Sequence, residues 1–287
     1  MKKIIVCLIA AILLISLAGC GQTSKTDIVV TTAPLYDFTS ALCEGTDIRI
    51  TKLITENVSC LHDYTLQVNQ MRSVEEAPIT IISGAGLEDF MVDTLVSASF
   101  VADASYGIET ECSHHAHDGH HHESDPHIWL SPKNARTMAI NIYYTLVQHY
   151  PQHEEIFDQN LQMLMAEFDA LDHYAEEQLS DLTCREIITF HDGFSYMAEA
   201  FDLHILKAIE EESGSEASAA ELVELIRLVK DHALPCIFTE INGNISAAQI
   251  VSTETGVPIY SLNMAMGDSG YFDAMYHNID TLKEALE

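Results

Sequence analysis

Residues 151–180 read PQHEEIFDQNLQMLMAEFDALDHYAEEQLS. Pro151 interrupts the helical pattern before it. Ile156, Leu161, Leu164, Phe168, Leu171, Ala175 and Leu179 then recur mostly at three- and four-residue steps, on one face of a single helix. At 1.5 Å per residue such a helix is on the order of 40 Å long, as long as a domain is wide, and reads as a strut. Before it, residues 27–31, 48–54, 78–83 and 99–101 read as strands, with helical patterns at 35–43, 66–75 and 87–96 and again after Pro132. Beyond it, strands at 186–190, 204–208, 236–239 and 258–262 alternate with helices near 194–201, 216–231, 246–255 and 271–286. Strands alternating with helices imply mainly parallel sheets flanked by helices. The chain therefore reads as α/β, with lobes at 27–150 and 182–287 joined stiffly by a helix at 151–181, since no Gly-Ser or Pro-rich linker separates them.

The N-terminus carries an address. Lys2 and Lys3 precede an apolar run at 4–17, too short for a comfortable bilayer span but suited to the core of an export signal. The run closes on Leu17-Ala18-Gly19-Cys20, which resembles the lipobox of bacterial lipoproteins. Residues 1–19 are then a signal peptide, Cys20 carries lipid, and residues 20–26 form a tether to the outer side of the membrane. Two acyl chains on Cys20 hold a protein to a bilayer durably where one does not.

Across the whole chain 13 Lys and Arg stand against 44 Asp and Glu, a net charge of −31. Such a surface repels phosphate backbones and anionic headgroups, which argues against nucleic-acid binding, and it attracts cations. Beyond Cys7 and Cys20 there remain Cys43, Cys60, Cys112, Cys184 and Cys236, an odd number without CxxC spacing. That pattern excludes a zinc ribbon, leaves room for one or two disulfides, and is read here as mostly buried, inert thiols.

Histidine is the informative residue. Residues 112–132 read CSHHAHDGHHHESDPHIWLSP, an acidic loop at 112–123 that places His114, His115, His117, His120, His121 and His122 within nine positions, followed by His127 in a fixed hydrophobic phrase. Neutral imidazole is the commonest protein ligand for divalent transition metals, so the loop reads as an auxiliary metal collector, with Asp118, Glu123 and Asp125 adding negative charge. Three other placements matter more, because ligands of open α/β sheets sit beyond the carboxyl ends of strands. His62 follows the second strand, His127 the fourth, and His191 the first strand of the second lobe. They are too far apart for a local HExxH helix or a finger, so only tertiary convergence makes a site of them. Taken singly, each is more often a solvated or hydrogen-bonded histidine than a ligand.

The phrases around these histidines, Thr31-Thr32-Ala33-Pro34-Leu35-Tyr36-Asp37, His62-Asp63-Tyr64, Ser83-Gly84-Ala85-Gly86-Leu87-Glu88, Asp125-Pro126-His127-Ile128-Trp129-Leu130-Ser131-Pro132, Phe190-His191-Asp192-Gly193-Phe194-Ser195-Tyr196 and Phe238-Thr239-Glu240, together with the helix from Tyr271 to Leu286, are similar to those of the helix-linked substrate-binding proteins that feed zinc or manganese to ABC importers. The resemblance spans essentially the whole mature chain. It implies one metal between two lobes, held by His62, His127 and His191, and, as partners, a permease and its ATPase. A histidine at the third position resembles the zinc branch, and three imidazoles suit Zn²⁺ better than oxygen-seeking Mn²⁺.

Where relatives offer a carboxylate before the last helix, this chain aligns Met266. A thioether is a poor zinc ligand, so the expected fourth ligand is Asp268, with Glu240 or water as the alternatives. Asp63 and Asp192 are expected to orient the ligating rings from behind. The expected molecule is a monomeric, lipid-anchored Zn²⁺ receptor and not an enzyme. The alternatives are a manganese- or iron-preferring receptor of the same family, an extracellular zinc buffer or adhesin, and a zinc-dependent hydrolase.

Overall fold

A computed structural model describes residues 26–55, 61, 64–110, 125–209, 217–241 and 243–287. The leader with Cys20, His62, Asp63, Cys60, Cys112 and the His-rich loop lie outside the described residues.

The first lobe opens with strand β1 (Ile28–Val30) and helix α1 (Ala33–Leu42). It continues through β2 (Ile50–Lys52), α2 (Val68–Glu76), β3 (Ile79–Ile82), a short turn of helix, α3 (Val92–Leu95) and β4 (Val101–Asp103). Its sheet has the order β2-β1-β3-β4 and every pairing is parallel. The second lobe repeats the plan with β5 (Glu186–Thr189), β6 (His204–Ala208), β7 (Ile237–Glu240) and β8 (Ile259–Leu262) in the parallel order β6-β5-β7-β8. Helices α6 (Ser195–Ala200), α7 (Ala219–Asp231), α8 (Ser246–Thr255) and α9 (Tyr271–Leu286) connect and cover those strands. In both sheets the order reverses between the first and third strands, which opens a crevice at their carboxyl ends. The expected fold class stands. The fourth strand lies at 101–103 instead of the expected 99–101, where its register pairs Val101 with Thr80 and Asp103 with Ile82, and Phe100 just before it still accepts the Thr80 N–H through its carbonyl.

Between the lobes run α4 (Pro132–His149), a turn at Pro151, and α5 (Glu154–Leu179), 26 residues long. Local chemistry sets the boundaries. The Ser131 hydroxyl accepts the Asn134 N–H and Pro132 occupies the first turn of α4, while Ser218 and Glu221 form a reciprocal capping box on α7. The buried stripe of α5 is Phe157, Asn160, Leu164, Phe168, Leu171, Ala175 and Leu179. It begins one residue away from the expected stripe, because Phe157 and Asn160, rather than Ile156 and Leu161, face inward. Asn160 belongs there by hydrogen bonding: its Nδ2 donates to the carbonyls of Leu42 at 2.8 Å and Glu44 at 2.9 Å, closing the C-terminus of α1.

One apolar cluster runs from Val30 and Phe38 through Phe168 and Leu171 to Ile279 and Leu282, so the strut and parts of both lobes share a core. Each such Leu, Ile or Phe contributes about 1.5–3 kcal/mol by its burial. Polar bonds tie the lobes across the cleft. Trp129 Nε1 donates to the Met264 carbonyl at 2.8 Å, Tyr271 Oη donates to the Trp129 carbonyl at 3.0 Å, and the Tyr271 N–H donates to Asp37 at 2.8 Å. The hinge is therefore stiff. Of the described cysteines, Cys43 and Cys236 are buried and Cys184 half-buried, and none is bridged. Burial pushes the thiols of Cys43 and Cys236 up to about 12, as expected of inert thiols. No helix among the described residues is long and apolar enough to cross a membrane.

Candidate metal centre

His127 and His191 reach the interlobe crevice from opposite sides. His127 directly precedes the short helical turn Ile128–Leu130. Asp125 Oδ1 accepts both the His127 backbone N–H at 2.9 Å and His127 Nδ1 at 2.8 Å, a tight Asx-type turn that fixes the ring. Burial alone would raise the Asp125 carboxyl, but hydrogen bonds from His127, reinforced by Ser195, win and hold it below the ordinary carboxylate range. An ionised Asp125 can only accept, so Nδ1 carries the proton and Nε2 is left as the basic nitrogen. The ring is nearly fully buried, with Trp129 against it at 5.4 Å between centroids.

His191 follows β5 by two residues, and Glu240 ends β7. The parallel register pairs Thr189 with Phe238, so His191 and Glu240, each two residues further on, emerge side by side. His191 Nδ1 lies 3.8 Å from Glu240 Oε2, an ion-pair separation, and the Glu240 side chain is buried. The two imidazoles meet with centroids 5.2 Å apart and ring planes at 83°. Each ring thus has a buried carboxylate on its Nδ1 side. At His127 the carboxylate is hydrogen-bonded, the usual support of a metal-ligating histidine, in which an acceptor on one nitrogen sets the tautomer and leaves the other for the cation; at His191 the carboxylate stands further off, at 3.8 Å.

Two glycines make room. A Cβ on Gly193 would lie 2.7 Å from His191 Nε2 and Cδ2 and 2.8 Å from the Met264 methyl, and one on Gly243 would lie 2.4 Å from Glu240 Cγ. Both positions hold Gly because side chains of the site pass directly over their backbones.

Asp268, the expected fourth ligand, is 78 % exposed and pairs with Lys52 of the first lobe at 3.1 Å. Glu240 stands on the Nδ1 side of His191. Met266 is buried. Asp192 follows His191 at a partly buried position and Asp63 lies outside the described residues; the carboxylates found on the Nδ1 sides of His127 and His191 are those of Asp125 and Glu240. Sequence reasoning undervalued Asp125, although an Asp two residues before a histidine with Pro between them is a recognisable turn signal. No group of three His, Cys, Asp or Glu among the described residues is arranged to hold a metal, and the third expected imidazole, His62, is outside them. Its neighbours are anchored: Leu61 is fully buried and Tyr64 packs edge-on to Phe90 at 5.8 Å. A separate groove of about 980 Å³ lined by Lys133, Asp172, Arg185 and Glu199 contains neither histidine.

The model of the family described as ZnuA, zinc-uptake complex component A, periplasmic, matches residues 28–285. The chain belongs to this family. Among its relatives, the zinc-binding lipoprotein AdcA of Streptococcus pneumoniae serotype 4 is 28 % identical over 311 residues, covering all of this chain and 62 % of AdcA, so the chain spans under two thirds of that relative. The high-affinity zinc uptake system protein ZnuA of Bacillus subtilis is 27 % identical over 300 residues, covering 94 % of this chain and 93 % of that protein. Among solved structures, the metal-dependent lipoprotein YcdH of Bacillus subtilis superposes with a TM-score of 0.76 at 26 % identity, over 91 % of this chain and 99 % of YcdH. Membership in the ZnuA family agrees with the resemblance read from the sequence and is that of a metal-uptake component, not of an enzyme family.

Proposed function

We propose that this ZnuA-family protein captures Zn²⁺ in the crevice between its lobes, through Nε2 of His127 and His191 and a third imidazole from His62, and hands it to a permease driven by an ATPase. Support comes from the pair of converging imidazoles, each backed on Nδ1 by a buried carboxylate. Nitrogen donors favour Zn²⁺ over Mn²⁺, and a neutral thioether is too soft to hold zinc well, so water takes the fourth position. In this reading Asp268 ties the lobes through Lys52 and Glu240 supports the His191 ring. The shared core limits closure to small tilts, so release depends on the permease disturbing the site.

In this reading residues 1–19 are removed, Cys20 holds a monomer to the outer membrane face through residues 20–26, the lobes divide at 151–181, and His114 to His122 gather cations beside the crevice. The decisive experiment measures zinc stoichiometry and affinity in the wild type and in His62→Ala, His127→Ala and His191→Ala. Each substitution is expected to weaken loading at least tenfold, and tight loading by the triple variant rejects the site. The hydrolase alternative predicts ester turnover in proportion to bound zinc, which the same purified protein tests directly.

A further inference from the structure

Residues 263–266 form a turn whose backbone is pinned from several sides. The Asn263 N–H donates to Asn278 Oδ1 at 2.7 Å, Asn278 Nδ2 donates back to the Asn263 carbonyl at 2.8 Å, and the Ala265 N–H donates to Asn263 Oδ1 at 2.8 Å. Ala265 adopts a left-handed φ of 57°, a conformation that costs an alanine about 1 kcal/mol or more and persists only where surrounding bonds enforce it. The Met264 carbonyl in turn receives the Trp129 indole N–H from the segment that carries His127. So braced, the turn delivers the buried Met264 side chain to the metal centre. Its methyl carbon and His191 Nε2 flank one point above Gly193, at 2.8 and 2.7 Å.

The methyl end of the Met264 thioether thus borders the Cδ2–Nε2 edge of His191, whose Nδ1 faces Glu240. Three carboxylates are engaged otherwise: Asp125 and Glu240 stand on the Nδ1 sides of the rings, and Asp268 lies out against Lys52. We propose that Met264 is a specificity-determining residue of the cargo site, a soft neutral donor that favours polarizable cations such as Cd²⁺ and disfavours hard cations such as Mn²⁺. This rests on the zinc-site reading above. The physical ground is that thioether sulfur contributes little to hard cations, which seek charged oxygen, while a polarizable ion gains from it.

The test uses the full chain with Met264→Leu, which keeps the volume and removes the sulfur, and Met264→Asp, which supplies a hard donor. Competition titrations with Zn²⁺, Cd²⁺ and Mn²⁺ give the affinity ratios, and X-ray absorption at the cadmium edge reads the ligand atoms. Met264→Leu is expected to lower the Cd²⁺-to-Zn²⁺ preference by roughly fivefold or more, and Met264→Asp to raise the Mn²⁺-to-Zn²⁺ preference by roughly tenfold or more. A sulfur neighbour of cadmium is expected in the wild type and absent in Met264→Leu. Ratios that stay within about twofold of wild type in both variants, or a sulfur signal that persists in Met264→Leu and so comes from a cysteine, overturn the proposal. Wild-type zinc affinity in His127→Ala and His191→Ala overturns the zinc-site reading as well, and that result is read independently of the Met264 variants.

Discussion

Substituting Gly193→Ala places a methyl group where the structure has no room. The new Cβ would stand 2.7 Å from two atoms of the His191 ring and 2.8 Å from the Met264 methyl, and no Cβ is tolerated at such separations. The backbone there has no left-handed φ, so alanine costs nothing conformationally and the whole effect falls on the neighbours. Met264 ends in a flexible methyl that can swing aside. The His191 ring cannot move as cheaply, because it springs from β5 and lies between His127 and Phe194. Overpacking a well-filled site costs about 1–3 kcal/mol. If that cost is borne by the metal-loaded geometry, zinc affinity falls by roughly 5- to 150-fold, at about 1.4 kcal/mol per factor of ten. A fluorescent chelator competing for Zn²⁺ measures the loss, and thermal unfolding of the metal-free protein shows whether the clash is relieved there. The double substitution Gly193→Ala with Met264→Ala frees the methionine side of the clash and should leave most of the loss in place. Zinc affinity within about twofold of wild type in Gly193→Ala would refute the assignment of His191 Nε2 to the cation.

Further outcomes are open to measurement. Asp125→Asn weakens the acceptor behind His127 Nδ1 and should cost about 10- to 100-fold in zinc affinity, measured by the same competition; no loss would dissociate the Asx turn from the site. Asp268→Asn breaks an ion pair whose carboxylate is 78 % exposed, so a stability change below about 1 kcal/mol and nearly unaltered zinc binding are expected. A tenfold or larger drop in zinc affinity would return Asp268 to the ligand set. Glu88 is buried and accepts from the Thr31 hydroxyl and the Ser83 and Gly84 N–H groups, yet burial outweighs these bonds and lifts its carboxyl to about 7. A carboxyl raised on folding keeps its proton better in the native state, so native stability should decline as pH rises from about 4.5 to about 7. Denaturant titrations across that range should show a shallower decline in Glu88→Gln, and equal slopes would dismiss the effect.

Local periodicity is a property of neighbouring residues, and so the alternation of strands and helices, the 26-residue strut and the twofold repetition of lobes were legible in the chain alone. The convergence of His127 and His191 was legible too, because parallel sheets gather ligands at the carboxyl ends of their strands. Which acid stands behind which ring was not. Glu240 meets His191 only because β5 and β7 pair in one register, 49 residues apart at Thr189 and Phe238. Asp268 turns to Lys52 across 216 residues, and Met264 enters the site through a turn braced by Asn278 and Trp129. Those choices depend on how two lobes pack on one helix, and the spacing of residues along the chain carries no signal of the direction in which a side chain will point once they do.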